Sequence, residues 1–402
     1  MKDDLNCFKK FGFRFIQYGL KYAMYLIPWK EPTLLNDYDE YIKVLKENNI
    51  NKVLIVTIPF LIKNNNLDDL FSLLKSNLIE YVTFSDVASN PIFENVDEGV
   101  NLYHHESCNS ILAIGGGSVI DCAKAIGLLI TNKPPLEKYK GIFKVHHNLP
   151  LLSAVPTTCG TGSETTLAAV IRNDKTKEKF PIEAPRMVPS YALLNPRLLL
   201  GLPSSAYAYS SLDALTHAIE SYLNITRTSK TKKYSLKAVE LIKDNIEGGF
   251  NDPLNEEYKK NMLLASFLAG KAFTRSMVGN VHALAHALGG KYNLAHGMLN
   301  AMLLPLFLKT YLPKAKKRMN ELAIAMKLND SEDALKNAND LISYISSLDD
   351  KFNIPKTINE LKEEDYLSLA TQAYNEAKFL YSCPKIYSIN DYIEILKQVK
   401  GK

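Results

Sequence analysis

The stretch Ile111 to Gly127, ILAIGGGSVIDCAKAIG, constrains the fold more than any other part of this 402-residue chain. An apolar run is followed by three consecutive glycines and then by residues with helical spacing. The segment is therefore a strand that passes into a helix through a loop almost free of side chains. A strand that feeds a helix is the building unit of a parallel sheet. The surrounding pattern repeats that unit. Short apolar runs at Leu54 to Val56, Tyr81 to Phe84, Leu151 to Val155 and Ala192 to Leu194 alternate with helical stretches such as Asp68 to Lys75 and Val119 to Ile130. After about residue 203 the strand signal fades and long helical patterns take over. No internal repeat or low-complexity tract interrupts this order. The expected organisation is an α/β domain over residues 36–200 and an all-α domain over 201–402.

Residues 1–35 stand apart as an aromatic and basic extension. Phe11, Phe15, Tyr18, Tyr22 and Tyr25 recur at helical spacing, and Lys10, Arg14, Gln17 and Lys21 recur on another face. This amphipathic helix is expected to pack on the protein's own body or on a sister subunit; membrane contact through residues 8–29 is the less favoured reading. Elsewhere composition mostly excludes. A net charge of +5, from 48 Lys and Arg against 43 Asp and Glu, gives no global pull towards nucleic acid. No apolar run approaches the roughly 20 residues of a membrane-spanning helix, and the start MKDDLNCFKK does not read as a signal peptide. Five scattered cysteines without a CxxC pair argue against a disulfide framework or a Cys-rich zinc site and fit a reducing cytoplasm.

Two loops carry nucleotide chemistry. Gly115, Gly116 and Gly117 let backbone N–H groups approach a ligand closely, and the helix start behind them adds partial positive charge, which suits a phosphate or pyrophosphate. The spacing is neither GxGxxG nor a Walker loop, and the same residues also read as a tight turn capped by Ser118 and Asp121. The second loop, PTTCGTGSE at Pro156 to Glu164, offers the hydroxyls of Thr157, Thr158, Thr161 and Ser163 around two glycines. Two small-residue loops at the ends of two parallel strands are stronger together, because open α/β sheets bind ligands outside the strands' carboxyl ends. Cys159, within this loop, reads as a small buried residue.

The helical half carries a second constellation. Asp213 and His217 are four residues apart and share one helix face; His282 and His286 repeat the spacing, and His296 follows. One carboxylate with two or three imidazoles in an apolar setting is the donor set of a divalent transition metal such as Fe²⁺ or Zn²⁺. Spacing does not choose among the three later histidines.

Taken together, GGGSVIDCAKAIG, PTTCGTGSE, DALTHAIESY and HALAHALGGKYNLAHG resemble the iron-containing (group III) alcohol dehydrogenases in wording, order and separation. The resemblance implies a Rossmann-like N-terminal dinucleotide-binding domain and a helical C-terminal domain, a dehydroquinate synthase-like architecture. It implies Asp213, His217, His282 and His296 as metal ligands and His286 as a proton relay. It places Gly116, Gly117, Ser118 and Asp121 on the cofactor's pyrophosphate and nicotinamide side, Thr157, Thr158 and Thr161 on the opposite loop, and Lys179 at the cofactor ribose. Three departures stand out. Val56-Thr57 is followed by Ile58 where NAD-preferring members usually have an acid, which admits NADP(H) beside NAD(H); LLNDYDEY replaces a glycine-rich turn; and Asn195 replaces an aspartate before proline. The implied activity is hydride transfer between a nicotinamide and a primary or small secondary alcohol or its aldehyde, in a homodimer or larger assembly. The alternatives are a glycerol or polyol dehydrogenase, a related synthase that uses NAD transiently, and a non-catalytic metal or nucleotide sensor.

Overall fold

A computed structural model describes residues 7–26, 29–88, 90–174, 179–329 and 331–401. By packing, the chain divides into two units. One comprises Pro28–Leu202 together with Pro253–Leu263; the other comprises Pro203–Asp252 and Leu264–Lys402 with the N-terminal helix α1 (Cys7–Leu26).

The first unit is a doubly covered parallel sheet. Its strands are β1 (Thr33–Leu35), β2 (Lys52–Val56), β3 (Glu80–Phe84), β4 (Ser110–Gly115), β6 (Leu151–Pro156) and β9 (Tyr191–Leu193), in the order β1-β9-β6-β4-β2-β3 with every pair parallel. Helices α2 (Tyr38–Glu47), α3 (Pro59–Lys63), α4 (Asp68–Ser76), α5 (Phe93–His105) and α6 (Gly117–Thr131) connect them. The inner strands β2, β4 and β6 are mostly apolar and buried because both faces are covered, and alternate residues serve different cores. Leu54, Val56, Ile111 and Ala113 join one cluster, whereas Val53, Ile55, Leu112 and Ile114 join the other.

The sequence reading places Thr33 to Leu35 in the extension, but they form the edge strand β1 against β9. Three residues are too few for periodicity to register. A small second sheet of β5 (Gly141–Ile142), β7 (Ala168–Arg172) and β8 (Lys179–Glu183), in the order β5-β8-β7, is likewise missing from the sequence reading. Asn195 is a turn residue: its side chain accepts from the Arg197 N–H at 3.1 Å and donates to Tyr38 Oη at 3.3 Å.

The second unit is helical: α7 (Ser204–Leu223), α8 (Ser229–Asn251), the C-terminal part of α9 (Glu256–Ser276), α10 (Asn280–Tyr292), α11 (His296–Ala325), α12 (Ala334–Lys351), α13 (Tyr366–Leu380) and α14 (Ile389–Val399). Gly297, in the first turn of α11, fixes how closely α11 meets α7. A Cβ there would lie 2.2 Å from the Tyr209 carbonyl oxygen, so only glycine lets the two backbones touch. Helix α1 docks on this unit by its polar side. Gln17, buried, donates to the carbonyl oxygens of Tyr381 (3.1 Å) and Lys378 (3.4 Å), and Arg14 donates to that of Pro384 (3.0 Å). Among the described residues no helix is long and apolar enough to cross a membrane. The described cysteines Cys108, Cys122, Cys159 and Cys383 are buried and unbridged.

Candidate functional site

In the helical unit, three helices bring the sequence-selected acid and histidines together. Asp213 and His217 lie on α7, His282 and His286 on α10, and His296 opens α11. One ligand atom each of Asp213, His217 and His282 falls within 4.8 Å of the others, and all three residues are buried. His296 is more open; its Nε2 lies 3.5 Å from Asp213 Oδ1. His217 stacks on Phe273 at 4.1 Å between centroids and on His282 at 4.5 Å, which locks its ring plane.

Neighbouring groups decide which lone pairs face inward. Glu220 sits seven residues after Asp213 on the same face of α7 and is buried. It accepts from the Gly279 and Val281 N–H groups at the start of α10 and holds His282 Nδ1 at 2.7 Å. With Nδ1 held by Glu220, Nε2 is the His282 nitrogen that faces inward, towards Asp213. Asn300, one turn after His296 on α11, places its Nδ2 at 2.7 Å from Asp213 Oδ1, 3.1 Å from His282 Nε2 and 3.0 Å from His296 Nε2. One carboxylate oxygen and two ring nitrogens, three potential ligand atoms, thus converge on one point. The Asn300 Oδ1 atom is buried and finds no partner.

The charges are mutually set. Burial opposes ionisation of Asp213, but the facing His217, His296 and His282 outweigh it and hold the carboxylate well below its usual range. Burial alone would depress His282; hydrogen bonds to Asp213 and Glu220 reverse this and push it to about 9. His296 is driven well below the usual imidazole range, first by burial, against the attraction of Asp213. It is a neutral donor.

His286 is directed elsewhere. Its ring stacks on His296 at 5.1 Å, and its Nδ1 lies 2.7 Å from Glu376 Oε1, which also accepts from the Tyr381 hydroxyl at 2.7 Å. Burial works against the Glu376 carboxylate, but His286 and Tyr381 together hold it below its ordinary value.

The sheet unit places the two loops side by side. Gly115 at the end of β4 is in register with Pro156 at the end of β6, and the Thr157 N–H donates to the Gly115 carbonyl at 3.0 Å. A Cβ on Gly117 would lie 2.8 Å from Thr161 Cγ2, so glycine is needed where the loops meet. Gly116, Gly117, Ser118, Thr158 and Thr161 are half-buried at this meeting point, and Thr157 is buried. The expected Ser118–Asp121 cap does not form. Helix α6 starts at Gly117 with Gly116 as its N-cap, two residues ahead of Ser118; no side chain caps it, and its first turn has no acid, which keeps that terminus suited to an anion.

Asp121 turns inward instead: its oxygens accept from Ser163 Oγ at 2.6 Å and from the Val170 N–H at 2.9 Å. Beside it Lys124, fully buried, donates to Ser163 Oγ, Thr166 Oγ1 and the carbonyls of Thr166 and Ala168 at 2.8–3.1 Å. Asp121 and Ser163 therefore stitch the two loops together from below. Burial lowers Lys124 to about 8 against the pull of Asp121 and Glu164, and raises Glu164 to about 7. Lys179 opens β8, but its side chain lies outside the described residues.

Sequence reasoning passed over Glu220 and Asn300, although the rule that paired Asp213 with His217 reaches both: Glu220 is at i+7 from Asp213 and Asn300 at i+4 from His296. Glu376 has no such local signal, because 90 residues separate it from His286.

Residues 35–196 match the family model described as iron-containing alcohol dehydrogenase, and residues 207–399 match the model of that family's C-terminal domain. The chain belongs to the iron-containing alcohol dehydrogenase family. It is 36% identical over 352 residues to a 1,3-propanediol dehydrogenase of Citrobacter freundii, covering 86% of this chain and 91% of that protein. It is 32% identical over 364 residues to alcohol dehydrogenase 4 of Saccharomyces cerevisiae, covering 90% and 94%. Among solved structures, a 1,3-propanediol oxidoreductase superposes with a TM-score of 0.88 at 32% identity, covering 92% of this chain and 99% of that one. An alcohol dehydrogenase from Oenococcus oeni gives 0.88 at 31%, with the same coverage. The parallel-sheet unit and the helical unit are this family's architecture.

Proposed function

We propose that the chain is a metal-dependent, NAD(P)-linked alcohol dehydrogenase and aldehyde reductase, with Asp213, His217, His282 and His296 as the ligands of a divalent iron or zinc ion. The observation that carries this reading is the convergence of Asp213, His282 and His296 on the Asn300 amide nitrogen within 2.7–3.1 Å, with His217 stacked alongside. One carboxylate and three imidazoles suit a borderline divalent cation better than calcium or magnesium, which take oxygen donors. Bound there, the ion supplies Lewis acidity to an alcohol or carbonyl oxygen.

The chain's own residues do the rest. Glu220 holds His282 Nδ1 and so keeps Nε2 directed inward, where a bound ion would displace its proton. Burial keeps His296 neutral, and Asp213 stays ionised, so the donor set carries one negative charge. His286, with Glu376 and Tyr381 behind it, forms a hydrogen-bonded chain able to take or return the alcohol proton. The Gly115–Gly117 turn, the uncapped start of α6 and the hydroxyls of Ser118, Thr157, Thr158 and Thr161 suit a dinucleotide pyrophosphate. Asp121 and Ser163 act beneath them as the tie between loops, and Lys179 is assigned to the cofactor ribose by resemblance alone. Ile58 after Thr57 leaves no carboxylate to repel a 2′-phosphate, which favours NADP(H). The 1,3-propanediol dehydrogenases among the relatives favour a short primary alcohol.

The test is one preparation assayed twice. Elemental analysis of chain reconstituted with Fe²⁺ or Zn²⁺ should find one ion per chain. NADPH and NADH oxidation should then be followed with aldehydes of increasing length, and with dihydroxyacetone and sugar phosphates. Sub-stoichiometric metal would remove the ligand assignment, and turnover confined to the polyol series would replace the substrate class.

A further inference from the structure

Helix α1 is oriented against the usual rule for an amphipathic helix. Its polar side, through Gln17 and Arg14, is the side that docks on the protein, with Phe13 wedged edge-on against Phe379 at 5.2 Å and Tyr374 at 6.4 Å. Its aromatic side faces out. Phe8, Phe11, Phe15 and Tyr22 are 87%, 72%, 73% and 68% exposed and recur every three, four and seven residues, so they form one continuous row, with Tyr18 beside them. Leaving such a row in water forfeits burial of several of the largest apolar side chains, so something covers it.

Charge selects the cover. Cys7–Leu26 contains Lys9, Lys10, Arg14 and Lys21 and no acid. The neighbouring stretch of α11 adds to this charge: Tyr18 acts electrostatically on Arg318, as Arg227 and the acid Glu321 also do, and exposed Lys314, Lys316 and Lys317 occupy the turns just before it. A second copy of the chain would bring an identical cationic surface across a two-fold axis, setting like charges against each other. An anionic lipid surface brings the complementary charge together with an apolar interior for the rings. The helix lies outside the two family-matched segments, which begin at residue 35, so the family's fold does not account for it. As no described helix can span a bilayer, α1 would lie in the interface plane.

We propose that α1 is a membrane-surface helix: the row Phe8, Phe11, Phe15, Tyr18 and Tyr22 seats in the acyl boundary of an anionic phospholipid bilayer, and the net positive charge of the helix draws it to that surface. This does not depend on the catalytic reading.

The test uses the full chain with vesicles of phosphatidylcholine alone and of phosphatidylcholine mixed with phosphatidylglycerol. Co-sedimentation gives the partition coefficient. Energy transfer from Trp29, the only tryptophan and three residues beyond Leu26, to a dansylated lipid reports docking at this end of the chain. Wild type should pellet with the phosphatidylglycerol vesicles and transfer energy, and added salt should weaken both. The double variant Phe11→Ser/Phe15→Ser should lower partition at least tenfold, with its circular dichroism and metal content unchanged. Tyr22→Ser, on the same row, should lower it by a smaller factor and keeps the proposal testable if the double variant misfolds. Wild type that ignores both vesicles, or variants that bind as wild type does, would overturn it. So would a dimer, seen by light scattering, that the double variant dissociates while neither protein binds lipid: the row would then be covered by a second copy.

Discussion

Each unit buries a cluster of charged side chains, and the two clusters differ in where their bonding capacity points. In the sheet unit Lys124 has four oxygen acceptors and Asp121 has a donor on each oxygen; the partners come from the loops the cluster supports. In the helical unit Asp213, His282 and His296 share a single amide nitrogen, and their bonding capacity faces one point. A satisfied cluster acts as a brace, whereas a cluster whose donors converge with capacity to spare is a receptor for a cation. Both clusters gather charged groups inside their unit, and the direction of their bonding capacity separates a brace from a receptor.

Four changes test this contrast, beginning with the largest expected effect. His282→Ala should reduce bound metal to trace amounts and lower turnover by about a thousandfold or more, measured by elemental analysis and steady-state kinetics; retained metal with retained rate would place the site elsewhere. Lys124→Met should leave metal stoichiometry intact and destabilise the fold by roughly 3–5 kcal/mol, because Asp121 stays buried without its cation. Its pH signature is distinct. The folded pKa of about 8 lies below the ordinary lysine value, so between those two pH values the unfolded chain binds more protons and wild-type stability rises with pH. Denaturant melts across that window should lose this slope in Lys124→Met. Glu220→Gln keeps the shape of the group that orients His282 but weakens the charge-assisted bond, and should loosen metal affinity by about 10–100-fold in a chelator competition. Unchanged affinity would make Glu220 only a cap for α10. Last, His286→Ala should leave the metal content alone and slow turnover by roughly tenfold to a hundredfold, with the loss rescued in part by added imidazole. Loss of metal in this variant would exchange the roles of His286 and His296.

Legibility followed the range of the signal. Asp213 and His217, or His282 and His286, could be paired on paper because four residues make one helical turn. Strands β2, β4 and β6 could be marked because most of their residues are apolar and buried on both faces, and β3 and β9 because their short apolar runs continue the alternation of strand and helix. The edge strand β1 and the small sheet of β5, β7 and β8 escaped: β1 and β5 are only three and two residues long, and β8 carries a lysine, a proline and a glutamate in place of an apolar run. By spacing Asp121 offers a helix cap with Ser118, and by resemblance a place on the cofactor side. Its real partners, Ser163 and Val170, lie 42 and 49 residues away and leave no local trace. The α1 helix was visible as amphipathic, but which of its sides would meet the protein was not.

Residue identity and local spacing were enough to determine the parallel-sheet and helical halves, the glycine turn at the head of α6 and the pool of metal-donor side chains, because helix and strand periods are properties of the backbone itself. The tertiary structure alone decided that Glu220 aims His282, that Asn300 sits where the donors meet, that Lys124 braces the two loops, and that the aromatic row of α1 faces outward. Each of these depends on a side chain meeting a partner on another element, and such meetings are settled by packing over distances that no sequence period spans.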